Sequence, residues 1–316
     1  MDYENNSFLN DVIKGLSSEP KTLPSKYFYD KKGDEIFQQI MELDEYYLTR
    51  AEYEIFQTEK DNILSIFREG NQAFNLIEFG AGDGYKTKVL LKHFQEQSAS
   101  FTYMPIDISQ NVLSQLENTL SKEIPELNIT PKQGDYFEAL SQLDKSNKAR
   151  NIILFLGSNI GNFTPEGTVA FLSDIRNKIY KGDLLFIGID LKKNPHDILA
   201  AYNDSKNVTK EFNLNLLRRI NNELEANFEV DSFIHYPTYN PINGECLSTI
   251  LSTKEQEVTI SDQTFHFEKW ESIHTEISRK YSEKQITVLA EKCGFVIEKN
   301  LYDSKHQFVD SVWKAI

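Results

Sequence analysis

Phe74-Asn75-Leu76-Ile77-Glu78-Phe79-Gly80-Ala81-Gly82-Asp83-Gly84 is the stretch on which the fold turns. A short, mostly apolar run bounded by turn residues reads as a buried strand. The glycines that close it let the backbone turn tightly and approach a ligand without interference from a Cβ. Lys86 to Gln95 then reads as a helix, with Val89, Leu90 and His93 on nearby faces. The same strand-then-helix grammar continues downstream. Phe101–Ile106, Ile152–Leu156 and Leu184–Ile189 are strand candidates, and Val112–Leu120 is helical. Thr164-Pro165-Glu166 opens another helix, reaching about Tyr180, with a hydroxyl cap, proline at the first position and an acid in the first turn. Strands alternating with helices imply an α/β fold with a doubly wound, mostly parallel sheet.

The alternation begins and ends inside the chain. Before it lie turn residues and aromatics, then helices over about Asp34–Leu43 and Arg50–Phe67. After about Lys193 it stops: Asp197–Leu224 reads as one helix, and residues 229–269 as short antiparallel strands with turns at Asn240-Pro241 and Asn243-Gly244. A helix over Glu283–Lys292, then Gly294–Ile297 and Gln307–Trp313, resembles the end of an α/β sheet. The expected organisation is an α/β domain over 55–192 and 281–316, interrupted by an α+β insertion over 193–280 that packs with residues 1–54.

Composition bounds the function. The chain has 316 residues, 34 Lys and Arg against 48 Asp and Glu, and a net charge of −14. That balance argues against non-specific binding to nucleic acid or to an anionic membrane, and suits solubility. No run of about 18 apolar residues is present, so no membrane span is expected. The polar start, Met1-Asp2-Tyr3-Glu4, does not read as a secretory leader. Two isolated cysteines and six scattered histidines give neither a disulfide framework nor a zinc-ligand spacing, so we expect a cytoplasmic protein and no metal. A monomer is expected.

The glycine spacing speaks to the ligand. A dinucleotide site wants G-x-G-x-x-G. Here the third glycine comes one residue early and Tyr85 takes the slot. With Glu78 two residues before Gly80, the loop looks like motif I of class I S-adenosylmethionine (SAM)-dependent methyltransferases, whose cofactor has no pyrophosphate to cradle. Asp107 ends the second strand 23 residues beyond Gly84, where a carboxylate can accept from both ribose hydroxyls. Asp135, in Gln133-Gly134-Asp135-Tyr136-Phe137, sits where such enzymes meet the adenine amino group. Each has an ordinary reading, as turn, cap or solvated acid; their joint order within an α/β pattern favours the cofactor.

The chain as a whole resembles the L-histidine Nα-methyltransferases of ergothioneine biosynthesis and their fungal relatives acting on prenylated tryptophan. The resemblance is carried by Leu23-Pro24-Ser25-Lys26-Tyr27-Phe28-Tyr29-Asp30, Glu45-Tyr46-Tyr47-Leu48-Thr49-Arg50-Ala51-Glu52, the glycine loop with Lys86-Thr87-Lys88, Phe155-Leu156-Gly157-Ser158-Asn159-Ile160-Gly161-Asn162, Asp190-Leu191 with Ala200-Ala201-Tyr202, and Glu276-Ile277-Ser278-Arg279-Lys280-Tyr281. It implies a class I methyltransferase (Rossmann-like) fold with a second domain that closes the amino-acid site. It also implies that Gly80, Lys86, Asp107, Asp135 and Tyr136 contact SAM, and that Tyr46, Asn162 and Tyr202 hold the substrate carboxylate. Tyr29 and Gly157 would lie beside the amino group, and Glu276 with Ser278 would grip the imidazole. Tyr29 and Asn162 are the catalytic candidates. The implied reaction methylates the amino acid stepwise to the trimethyl betaine, with S-adenosylhomocysteine (SAH) as by-product.

Two departures from the family pattern stand out. The loop carries Asp83-Gly84-Tyr85 where small hydroxyl residues are usual, and Leu247-Ser248-Thr249-Ile250 stands where an Ile-Glu-Met strand is expected beside the imidazole, with Thr249 in the methionine's place. The same chemistry on another amino acid or derivative, or a non-catalytic SAM-binding relative, are the competing readings.

Overall fold

The computed structural model describes residues 2–69, 72–134 and 149–316, with side chains from residue 7. The chain forms two compact units, Leu48–Leu191 with Lys280–Ile316, and Met1–Tyr47 with Lys192–Arg279.

The first unit is built on a seven-stranded sheet. Its strands are β1 (Phe74–Phe79), β2 (Phe101–Asp107), β3 (Lys132–Gln133), β4 (Arg150–Phe155), β5 (Leu184–Asp190), β6 (Phe295–Tyr302) and β7 (Phe308–Ala315). They lie in the order β3-β2-β1-β4-β5-β7-β6. Pairing is parallel from β3 through β5, and β7 runs antiparallel to both its neighbours. The chain winds outward from β1 in one direction through β2 and in the other through β4, so a switch point lies between β1 and β4. In such sheets a crevice opens there, outside the carboxyl ends of the strands.

Local chemistry explains the elements. β5 is buried at every position, as expected of a strand covered on both faces. Thr164 caps the helix Pro165–Lys178 by accepting the Gly167 N–H, and Ser282 with Gln285 forms a capping box on Glu283–Lys292. Helix Leu48–Phe67 buries Ile55, Phe56, Ile63, Leu64 and Phe67, with the Phe56 and Phe67 rings against Phe186 of β5. This packing moves the first division between units to Tyr47/Leu48, rather than the 54/55 expected from sequence, because a continuous amphipathic helix cannot be shared at its middle. Asp190 and Lys280, both fully buried, form a 2.8 Å ion pair where the chain leaves and re-enters this unit.

The second unit carries a four-stranded sheet in the order Lys21–Thr22, Ser272–Arg279, Glu245–Ser252, Phe233–Asn240, together with the hairpin Gln256–Ile260/Gln263–Phe267. Its core gathers Phe8, Val12, Leu16, Phe28, Ile36, Ile40, Phe212, Leu217 and Ile220. Two elements differ from the sequence reading. Asp2–Leu16 is a helix, in a stretch to which the sequence reading assigned no element. The single helix expected over Asp197–Leu224 is two, Pro195–Tyr202 and Val208–Leu224. The Asp204 carboxylate accepts the N–H groups of Val208 (2.8 Å) and Thr209 (2.7 Å), which starts a new helix. No helix among the described residues is long and apolar enough to cross a membrane.

Candidate active site

The bend after β1 is left-handed at all of its glycines, with φ of 66° at Gly80, 54° at Gly82 and 64° at Gly84. A Cβ on Gly82 would meet nothing within 4 Å, whereas one on Gly84 would lie 2.6 Å from Leu116 Cδ1 on the helix Gln110–Glu123. Gly84→Ala therefore combines left-handed strain with crowding, and urea unfolding is expected to show a loss of about 2 kcal/mol.

Beneath the bend, Glu78 is buried and accepts hydrogen bonds from the hydroxyls of Thr87 and Tyr103. Burial pushes its pKa from 4.5 up to about 7, against the pull of those two donors. An acid with a raised folded pKa adds stability that is full below its unfolded value and is lost as pH rises through the folded one. Glu78 therefore removes about 2–3 kcal/mol between pH 5 and 8. The check is urea unfolding of the protein and of Glu78→Gln: the stability of the unmutated protein should fall relative to the variant across that window.

Asp107, at the end of β2, is half-buried. Its Oδ1 accepts the Ser109 N–H at 2.9 Å, while Ser109 itself caps the following helix. Burial raises the Asp107 pKa against the backbone donors at Ser109 and Ile108. Gly157 follows β4 with φ 72°, and Ser158 is also left-handed at φ 59°, a conformation that costs a non-glycine residue energy. The Ser158 hydroxyl holds that turn by accepting the Asp190 N–H at 2.9 Å. Lys86 Nζ lies 3.7 Å from where a Cβ of Gly157 would stand. Asn162 ends the 3-10 turn Asn159–Asn162 and is exposed. Thus Gly80, Lys86, Asp107, Gly157 and Asn162 all follow the carboxyl ends of β1, β2 and β4. Asp135 and Tyr136 lie outside the described residues.

The other unit holds the remaining candidates. The Tyr202 and Ser278 hydroxyls are 2.8 Å apart and buried. The Tyr29 ring packs edge-on to Phe37 and Phe212, and Phe37 packs against Tyr46. Although 45 % of Tyr29 is exposed, burial of its phenol, followed by the charges of Glu276 and Tyr46, raises its pKa well above 10. Glu276 and Ser278 owe their direction to a β-bulge. In the pairing with Glu245–Ser252 the register slips between His274 and Glu276, leaving Thr275 as the extra residue. Glu276 and Ser278 are thereby moved off the face of His274 and onto that of Ile273, opposite Ser248 and Cys246.

This geometry corrects one expectation. Thr249 pairs with His274 and bonds the Tyr236 carbonyl at 2.6 Å, on the other face from Glu276. The residue opposite Glu276 is Ser248, which no reading of one strand alone could find, because a bulge is invisible without the partner strand. Glu52 was also missed as a site residue. It is fully buried and accepts from both Lys86 and the Gly157 N–H.

Residues 8–315 match the family model described as histidine-specific, SAM-dependent methyltransferase. The chain is 36% identical over 273 residues to a histidine N-alpha-methyltransferase of Mycobacterium tuberculosis, covering 86% of this chain and 83% of that protein. It is 34% identical over 286 residues to the Mycolicibacterium smegmatis protein of the same name, covering 90% and 87%. Among solved structures, the mitomycin 7-O-methyltransferase MmcR superposes with a TM-score of 0.50 at 12% identity, over 99% of this chain and 68% of that one, a likeness of fold. The sheet order, the glycine bend and a match running nearly end to end place this chain in the family of histidine-specific, SAM-dependent methyltransferases.

Proposed function

We propose that the protein transfers methyl groups from SAM to the α-amino group of L-histidine, stepwise to the trimethyl betaine. The observation that carries this reading is the pairing of family membership with the bulge that sets Glu276 and Ser278 on one face, next to the Tyr202 hydroxyl. A carboxylate accepts an imidazole N–H, and a serine hydroxyl can donate to or accept from the other nitrogen.

The residues fit a sulfonium nucleoside. The glycine spacing departs from that of a dinucleotide phosphate loop, and Asp107 supplies a partly desolvated carboxylate for ribose hydroxyls. Gly80, Lys86, Asp107, Asp135 and Tyr136 would hold the cofactor, which supplies an electrophilic methyl when bound. The rest falls to the chain's own groups. Tyr46, Tyr202 and Asn162 offer neutral donors to the amino-acid carboxylate without a competing charge. Tyr29 and Gly157 are assigned to the amino group. With its pKa raised by burial and by Glu276, the Tyr29 phenol stays protonated at neutral pH and orients the amine rather than deprotonating it. The amine proton passes to water before transfer, and positioning the neutral nitrogen does the rest. Aromatic rings at Tyr29 and Phe37 favour the quaternary ammonium product.

Cys246 and Cys293 are both free and buried, which suits a cytoplasmic protein, and we read it as a monomer. Calorimetry tests the substrate assignment. With SAH present, histidine is expected to bind at least about 10²-fold tighter than leucine. Equal affinities would refute the imidazole site.

A further inference from the structure

The sheet unit holds a buried ionic cluster in which two members, Glu52 and Asp310, have no part in the reaction as described. Glu52 accepts the Gly157 N–H at 2.7 Å through Oε1 and the Lys86 ammonium through Oε2. Those donors belong to two different loops, one after β1 and one after β4, which flank the switch point. A single carboxylate thus ties both loops together. The neighbouring Tyr53 reinforces the tie by stacking on Tyr85, with ring centroids 5.1 Å apart.

The surroundings are shaped for this carboxylate. A Cβ on Gly188 of β5 would lie 2.2 Å from Glu52 Oε1, so only glycine leaves the oxygen its place. Opposite Gly188 on β7 stands Asp310, fully buried, with no hydrogen-bond donor on either carboxyl oxygen among the described residues. Burial, and then the charge of Glu52, push the Asp310 pKa well above its ordinary value, against the pull of Lys86. The Asp310 carboxyl thus faces the Glu52 carboxylate, whose other partner is the Lys86 ammonium. Burial alone would depress Lys86, but the charge and hydrogen bond of Glu52 outweigh it and the ammonium persists.

We propose that Glu52 is a positioning residue for methyl transfer: it fixes the Lys86 ammonium and the Gly157 peptide at the switch point, supported by Asp310 and given room by Gly188. The inference rests on the cofactor role of Lys86 and the substrate role of Gly157 proposed above.

Two readouts that need no turnover test it: SAH affinity by calorimetry, and hydrogen exchange of the Gly157 amide by NMR. Glu52→Gln keeps an acceptor for the Gly157 N–H but turns an amide NH2 toward Lys86. SAH affinity is expected to fall about tenfold while Gly157 exchange stays near that of the unmutated protein. Glu52→Ala loses both contacts, and Gly157 exchange is expected to rise about tenfold or more. If Glu52→Ala does not fold, Gly188→Ala, which drives a methyl into the Oε1 position, repeats the exchange measurement. Unchanged Gly157 exchange in the folded Ala variant would overturn the proposal. Lys86→Met separates the two layers: if it binds SAH normally, the cofactor role of Lys86 is wrong, while Gly157 exchange in Glu52→Ala still decides the positioning role.

Discussion

Asp107→Ala is expected to weaken binding of SAM and SAH about 10³-fold, by the same factor whichever amino acid is present. The carboxylate ends β2, the strand next to β1, and its Oδ1 is fixed by the Ser109 N–H at 2.9 Å. It is already partly desolvated, which lowers the cost of removing its remaining water when a ribose arrives. Hydrogen bonds to a charged group are worth about 1.5–3 kcal/mol each. Two of them to vicinal hydroxyls come to about 4 kcal/mol, or about 10³ in Kd. Asp107→Asn keeps the turn acceptor but loses the charge, and should recover part of the affinity. Calorimetry with SAH and no amino acid reads both variants. Affinity within a few-fold of the unmutated protein in Asp107→Ala would remove Asp107 from the site.

Glu276→Ala carries the second large effect, and it falls on selectivity. The kcat/KM for histidine should drop about 10⁴-fold, while the low activity on amino acids without a ring nitrogen barely changes. A site built to bond a polar group discriminates by about 10⁴–10⁵ against ligands lacking it, because its buried partner is left unsatisfied. Removing Glu276 inverts that logic: the imidazole N–H is stranded instead, and histidine loses its advantage. SAH binding should be unaffected, which separates this variant from Asp107→Ala. Steady-state kinetics at saturating SAM, with histidine and leucine compared, give the answer. A uniform loss on both substrates would mean that Glu276 supports the fold rather than reading the ring.

Much of this was legible in the sequence, and the reasons are physical. β1 was read at its observed bounds, Phe74–Phe79, because an apolar run that stops at glycine leaves few alternatives, and the helix Glu283–Lys292 was equally plain from its cap and spacing. Local signals place local elements. The N-terminal helix was missed because its apolar positions, Phe8, Val12 and Leu16, begin only after six mostly polar residues. The break between Tyr202 and Val208 depends on one side chain, Asp204, bonding forward rather than being solvated. The role given to Thr249 came from the family resemblance alone, which matches one strand to another but does not show the bulge in the neighbouring strand that turns Glu276 to the other face. Glu52, Gly157, Gly188 and Asp310 are far apart in sequence, and no periodicity joins them. They become a cluster only when helix Leu48–Phe67 lies against the sheet.

The most direct measurement is incubation of the protein with SAM and each of the twenty amino acids, followed by mass spectrometry. The account predicts that histidine alone accumulates mono-, di- and then trimethylated product, with matching release of SAH. Methylation of leucine as readily as histidine, or SAM bound with no amino acid methylated at all, would contradict it.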